Sequence, residues 1–256
     1  MTMAKLMNKK VLTTASVLIT IFILAFFIFI RRESVSAPVA GQKQGDSTAT
    51  TTVKSAETKE EQVSAFDKQK YSLTDPTSPW IVVNKKRPLP STYVPGNLTP
   101  VLSGQLQKDA ANSLSTLVNA AKNAGHSLSI ISSYRSYSTQ TSTYNNYVAT
   151  DGVARADTYS ARPGHSEHQS GLAVDLGNGV CNLEICFGDT PAGKWLASNA
   201  PDYGYIIRYP VGKDSITGYQ YEPWHVRYVG VDLAKELQKT NLTIEEFFGL
   251  TNQAGY

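Results

Sequence analysis

The sequence predicts an α+β fold: one compact domain over residues 71–256, preceded by a membrane helix. Three observations carry this expectation. Segments with the period-2 alternation of strands and segments with helical spacing follow one another irregularly, not as a regular βαβ wrap. No internal repeat runs through the 256 residues. An uncharged apolar run and then a polar stretch occupy the first 70 residues, which leaves the rest to form the packed body.

Residues 1–10 carry Lys5, Lys9 and Lys10. Residues 11–30 have no charge and are rich in Leu, Ile, Val and Phe. A helix of that length spans about 30 Å, the thickness of a bilayer's hydrocarbon core. The positive N-terminal side is expected in the cytoplasm and the bulk of the chain outside the cell, as a single-pass protein of the cell membrane. Ser34-Val-Ser-Ala37 offers small residues suited to signal-peptide cleavage, but the apolar run is long for a signal peptide and Arg31 and Arg32 follow it at once. An uncleaved anchor is therefore expected.

Residues 31–70 are rich in Ser, Thr, Ala, Gln, Glu and Lys, with Phe66 as the only aromatic residue. Such a stretch buries too little apolar surface to offset its ordering entropy and reads as a disordered extracellular linker. As a flexible coil it spans on the order of 35 Å. Without the five basic residues that flank the apolar run, 19 basic residues stand against 21 acidic ones, a net charge of −2. That balance excludes a nucleic-acid footprint. No segment points to an obligate protein partner.

Within the domain, Trp80-Ile-Val-Val83 reads as a short strand, and Pro88, Pro90 and Pro95 mark an extended wrapping segment. Leu114, Leu117, Val118 and Ala121 repeat at helical spacing, with Gly125 placed to cap the end. Residues 128–132 form a strand that delivers Tyr134-Arg135-Ser136, and residues 138–148 read as helix. In residues 172–176 Leu172, Val174 and Leu176 alternate with Ala173 and Asp175, a strand with one buried face and one face open around Asp175. Residues 192–200 read as helix and 205–209 as strand. Residues 233–237 have helical spacing, and Thr243 with Glu246 forms a capping box flanked by a Leu242 to Phe247 staple. Cys181 and Cys186, the only cysteines, suit a small disulfide-closed loop in an oxidising compartment; a zinc ligand pair would need a second pair, and none exists.

Two segments carry chemistry: Ser166-Glu-His-Gln-Ser-Gly-Leu-Ala-Val-Asp175 and Glu222-Pro-Trp-His225. A catalytic zinc keeps one coordination position open and so takes three protein ligands. His168, Asp175 and His225 make three. Glu222 is left to handle protons. A hydrolase is the implied class. Glu222 and His225 are three apart, which on a regular strand puts them on opposite faces; Pro223 between them predicts a bulge. His165, three residues before His168, could take its place on a metal only from a helix; beside Pro163 and Gly164 it reads as a bystander or a group that supports a ligand, and Glu167 is either a general base or a solvated charge. His126, next to Gly125, reads as an ordinary polar residue. Arg135, at the end of an apolar strand, is placed to meet an anion or a developing oxyanion. Tyr134, Tyr137, Tyr144 and Tyr147 are assigned to packing.

These motifs, together with Trp80-Ile-Val-Val-Asn-Lys, Pro88-Leu-Pro, Tyr134-Arg-Ser-Tyr with Gln140, Ala161-Arg-Pro-Gly-His-Ser-Glu-His-Gln and Glu222-Pro-Trp-His-Val-Arg-Tyr-Val-Gly230, resemble the VanY-type zinc D-alanyl-D-alanine carboxypeptidases, whose peptidase family also contains VanX-type dipeptidases. The resemblance covers roughly residue 71 to the C terminus. It implies a central antiparallel sheet flanked by helices, Zn2+ held by His168, Asp175 and His225, and Glu222 as catalytic base and acid. It further implies that Arg135 stabilises the reacting carbonyl oxygen and that Ser166 and Gln140 lie near the substrate. The implied substrate is a peptidoglycan stem peptide ending in D-alanine. L,D-carboxypeptidase or dipeptidase activity of the same site is the alternative within the enzyme class. A zinc-stabilised wall-binding module without turnover is the alternative outside it.

Overall fold

A computed structural model describes residues 66–256. The expected anchor over residues 11–30, the residues before it and the linker up to residue 65 lie outside the described residues. Among the described residues no helix is long and apolar enough to cross a membrane.

The body is an α+β domain whose elements follow in the order β1 (Leu98–Val101), β2 (Gly104–Gln107), α1 (Lys108–Asn123), β3 (Ser129–Ser132), α2 (Tyr137–Asp151), α3 (Val153–Tyr159), β4 (Ala173–Gly177), α4 (Pro191–Asn199), β5 (Tyr205–Ile207), α5 (Asp214–Thr217), β6 (His225–Tyr228), α6 (Val231–Thr240) and α7 (Ile244–Phe247). The main sheet is antiparallel throughout, in the order β3-β4-β6-β5. β1 and β2 form a separate hairpin.

The register of β4 against β6 divides the sheet into two functional faces. Val174 lies opposite Val226, and these side chains join Leu176 and the buried stripe of α1 (Ala110, Leu114, Leu117, Ala121) in the main core. Asp175 lies opposite His225, and Ala173 opposite Arg227, so period-2 geometry sends these four to the other face. That face is not open as the alternation predicted: all five β4 residues are buried, and His168 of the 3-10 turn Glu167–Ser170 lies against Asp175 at 3.2 Å. α1 ends as its spacing predicts. Gly125 adopts φ +83 and its N–H meets the Lys122 carbonyl, which closes a glycine cap.

Residues 80–83 form no strand; they are a buried irregular segment that leaves a turn at Trp80. The Ile81 carbonyl accepts from Arg227 Nη2 at 2.6 Å, so a side chain takes the place of a strand partner. A second apolar cluster joins Trp80 and Val82 to Leu233, Leu237, Ile244 and Phe247. Phe66 stacks on Trp80 with ring centroids 5.6 Å apart, so the packed body includes this residue, which lies upstream of Tyr71. The capping box at α7 is present in full: the Thr243 hydroxyl accepts from the Glu246 N–H at 3.1 Å, and the Thr243 N–H donates to the Glu246 carboxylate at 2.8 Å. Cys181 and Cys186 form a disulfide.

Candidate active site

The site is assembled by β4, β6 and the 3-10 turn Glu167–Ser170. Gly171 ends that turn at φ +69, and a side chain there would press on Leu98, Gln107 and Pro95 at 3.1 to 3.3 Å. Glycine thus lets the chain reverse tightly and enter β4 with Asp175 facing His168. His168 Nε2 lies 3.2 Å from one Asp175 oxygen and His225 Nδ1 lies 3.0 Å from the other. One ligand atom from each of the three residues falls within 4.8 Å of the others, and all three residues are buried. Two imidazole nitrogens and one carboxylate oxygen are the donor set of a three-ligand zinc site with an open position, so these residues fit the metal.

Each imidazole is held from behind. His168 Nδ1 donates to the Ser133 carbonyl at 2.8 Å, just past the end of β3, which leaves Nε2 for the cluster. His225 Nε2 lies 3.4 Å from Glu167 Oε2, which leaves Nδ1. Glu222 reaches His225 Nδ1 at 4.0 Å. No strand bulge brings it there: β6 begins at His225, and the His225 N–H bonds the Glu222 carbonyl at 3.2 Å across a turn containing Pro223. The proline breaks the strand pattern earlier than a bulge would.

Burial governs the charges. It pushes the Glu222 carboxyl up to about 8, against the opposing charge of His225 and, less, of Arg135, with the Asp175 charge adding to the rise. A carboxyl that titrates near neutrality both takes and gives protons. Burial also lowers His168, against the opposing pull of Asp175. For His225 burial is outweighed by hydrogen bonds to Asp175 and Glu167, which raise it to about 9. For Asp175 burial is outweighed by the two imidazoles, which hold its carboxyl well below the usual carboxylate range.

Arg135, Gln140, Ser166 and Glu222 open onto one cavity of about 660 Å³ together with His168, Asp175 and His225. The Arg135 backbone is pinned by its N–H to the His168 carbonyl at 3.2 Å, while its buried Nε has no partner among the described residues. Gln140 donates through Nε2 to the Ala161 carbonyl at 2.6 Å and leaves Oε1 unpartnered. Ser166 is buried at the start of the 3-10 turn. All seven residues singled out in the sequence therefore border one space. His165 stays outside the cluster, bonded to the Asn84 carbonyl at 2.9 Å, and His126 lies against Trp195. Tyr147 also borders the cavity, while Tyr144 packs inward and donates to Asp157.

Glu167 corrects the reading of a solvated charge or a general base. It is fully buried, and its Oε1 accepts from Arg208 Nε at 2.7 Å and Arg227 Nη1 at 2.6 Å. Arg208 in turn holds Glu245 through two hydrogen bonds. Tyr209 was also missed; its ring lies 5.0 Å from that of His225 and borders the cavity. The signal for Arg227 was available, since a residue two beyond His225 on a strand shares its face.

Comparison with known proteins gives a consistent result. The family model described as VanY, D-alanyl-D-alanine carboxypeptidase, matches residues 103–231. The putative carboxypeptidase YodJ of Bacillus subtilis is 41% identical over 189 residues, covering 69% of each chain. The solved LdcB LD-carboxypeptidase superposes with a TM-score of 0.64 at 41% identity, covering 68% of this chain and 87% of that one. A vancomycin-resistance D,D-pentapeptidase VanY variant solved with Zn(II) superposes at 0.58 with 33% identity, covering 65% and 97%.

Proposed function

The chain belongs to the VanY family of D-alanyl-D-alanine carboxypeptidases, which are zinc metallopeptidases, and from that premise we propose that it removes the C-terminal D-alanine from peptidoglycan stem peptides. The observation that carries this reading is the gathering of three ligand atoms within 4.8 Å beside a buried carboxyl raised to about 8, with an unpartnered arginine nitrogen on the same cavity. His168, Asp175 and His225 would hold zinc, which supplies Lewis acidity toward the scissile carbonyl and the attacking water. Glu222 takes the proton of that water and returns it to the departing D-alanine amine. Arg135 faces the carbonyl oxygen as charge builds on it. Gln140 fixes the 161 loop, and with Ser166 it borders the space the peptide would fill. In this reading the domain works outside the cell, tethered by residues 11–30.

A second reading is favoured by one observation: the chain is more similar to an LD-carboxypeptidase, at 41% identity, than to the D,D-pentapeptidase, at 33%. The same residues then cut the bond between an L-centre and the terminal D-alanine of a tetrapeptide. Mass spectrometry of synthetic stem pentapeptide and tetrapeptide, incubated with the zinc-loaded full chain, separates the two. Loss of one alanine from the pentapeptide alone marks D,D cleavage, and loss from the tetrapeptide marks L,D cleavage. If both peptides survive, the carboxypeptidase reading fails.

A further inference from the structure

The most heavily buried charges of the domain lie behind the site and have no part in the chemistry described so far. Glu167, Arg208, Arg227 and Glu245 have relative exposures of 0 to 1%. Burying four charges is costly, and a network of this kind can often be replaced by apolar side chains without loss of stability. Their arrangement is therefore informative.

Glu167 divides its two oxygens. Oε1 accepts from both guanidinium groups, Arg208 at 2.7 Å and Arg227 at 2.6 Å. Each arginine is fixed at its other end: Arg208 by a two-bond grip on Glu245, Arg227 by the carbonyls of Pro79 and Ile81. Oε2 is left facing His225 Nε2 at 3.4 Å. A carboxylate without a proton only accepts, so the imidazole carries hydrogen on Nε2; the same holds for Nδ1, 3.0 Å from Asp175 Oδ1, and it is this Nδ1 proton that a metal shared with Asp175 would displace. We propose that Glu167 is a positioning residue: its carboxylate, clamped by Arg208 and Arg227, holds the proton of His225 on Nε2 and so presents Nδ1 to the cation. His168 is set the opposite way, with Nδ1 on the Ser133 carbonyl and Nε2 presented. The two ligand histidines are thus oriented by different devices, a backbone carbonyl for one and a charged side chain for the other. This inference rests on reading His168, Asp175 and His225 as the metal ligands.

Glutamine at position 167 keeps the shape but not the bonding. Its amide has a single acceptor oxygen, for which two guanidinium groups and the imidazole N–H must compete, while its NH2 faces a donor on either side. Loss of such a partner typically weakens metal binding about 10- to 100-fold. The test is zinc affinity of the full chain, measured by chelator competition for the wild type, Glu167→Gln and Glu245→Gln. Glu245→Gln disturbs the same buried network at its far end without touching His225. The expected result is a 10- to 100-fold loss for Glu167→Gln and a change within about threefold for Glu245→Gln. Equal losses in the two variants, or wild-type affinity in Glu167→Gln, overturn the positioning role alone. A wild type that binds no zinc overturns the ligand reading as well. Should Glu167→Gln not fold, the tautomer of His225 in the zinc-loaded wild type decides, read from two-bond nitrogen–proton correlations. Hydrogen on Nε2 with metal on Nδ1 supports the proposal, and the reverse overturns it.

Discussion

Replacing Glu222 with glutamine isolates the proton-handling role. Glu222 is buried, its carboxylate lies 4.0 Å from His225 Nδ1, and burial raises it to about 8. Glutamine preserves its volume and removes its titration. No neighbour can substitute: Glu167 is tied to two guanidinium groups, and His165 is turned away to the Asn84 carbonyl. The loss should therefore reach the full range for general acid–base catalysis, about 10²- to 10⁴-fold in kcat, or about 3 to 5 kcal/mol of transition-state stabilisation. Glu222 is not one of the three clustered ligands, so zinc stoichiometry should remain at the wild-type level. KM should change little, because the interaction is made in the transition state. D-alanine release under saturating peptide, together with metal analysis of the same preparation, measures both quantities. A kcat within tenfold of wild type, with zinc retained, refutes the assignment.

Arg135→Ala should lower kcat about 10²- to 10³-fold by removing an oxyanion donor, yet shift stability by no more than about 0.5 kcal/mol, since Arg135 Nε has no partner in the fold; peptide turnover and urea denaturation check the two halves. For Glu245, burial alone would raise the carboxyl, but Arg208 holds it below its ordinary value of 4.5. A group depressed in the folded state contributes stability that is complete above the unfolded value and lost as pH falls below it. Tm should therefore fall as pH drops below 4.5, and Glu245→Gln, though less stable at neutral pH, should show a shallower acid limb. Parallel acid limbs would count against the pairing.

What the sequence made legible was local. The α7 capping box needs only Thr243 and Glu246 and the α1 stripe only its spacing and Gly125, and both appear in the fold; the β4 strand appears too, but with both faces buried where the alternation of its five residues predicted one open face. The gathering of the candidate ligands His168, Asp175 and His225 was legible because both segments keep them close to turn-forming residues, Gly171 and Pro223. What depended on distant partners was not. Residues 80–83 carry a strand's composition, but Arg227, far along the chain, takes the Ile81 carbonyl. Glu167 stands beside a histidine in a polar string, and nothing local shows that two arginines will enclose it. The β1–β2 hairpin was hidden by Pro100 and by strands of only four residues.

The charges themselves say why a divalent cation belongs here. On and behind the site face the buried carboxyl groups are Asp175, Glu167, Glu222 and Glu245, four in all, against two buried guanidinium groups, Arg208 and Arg227. With the four carboxyl groups ionised and both imidazoles neutral, as zinc ligation requires, these groups sum to two negative charges, which a zinc ion cancels; without metal, protons on Glu222, raised to about 8, and on His225, raised to about 9, do so instead. A ligand that binds only the folded state stabilises it by mass action, about 2.7 kcal/mol at a free concentration 100 times its Kd. Removing zinc with a chelator should therefore lower Tm by several degrees, and restoring zinc should return it. The gain should shrink in Asp175→Asn, which loses one ligand charge at the centre of the cluster. A Tm that does not respond to zinc would mean that the metal does not displace these protons, and the electrostatic case for the metal site would fail even if the donor geometry stood.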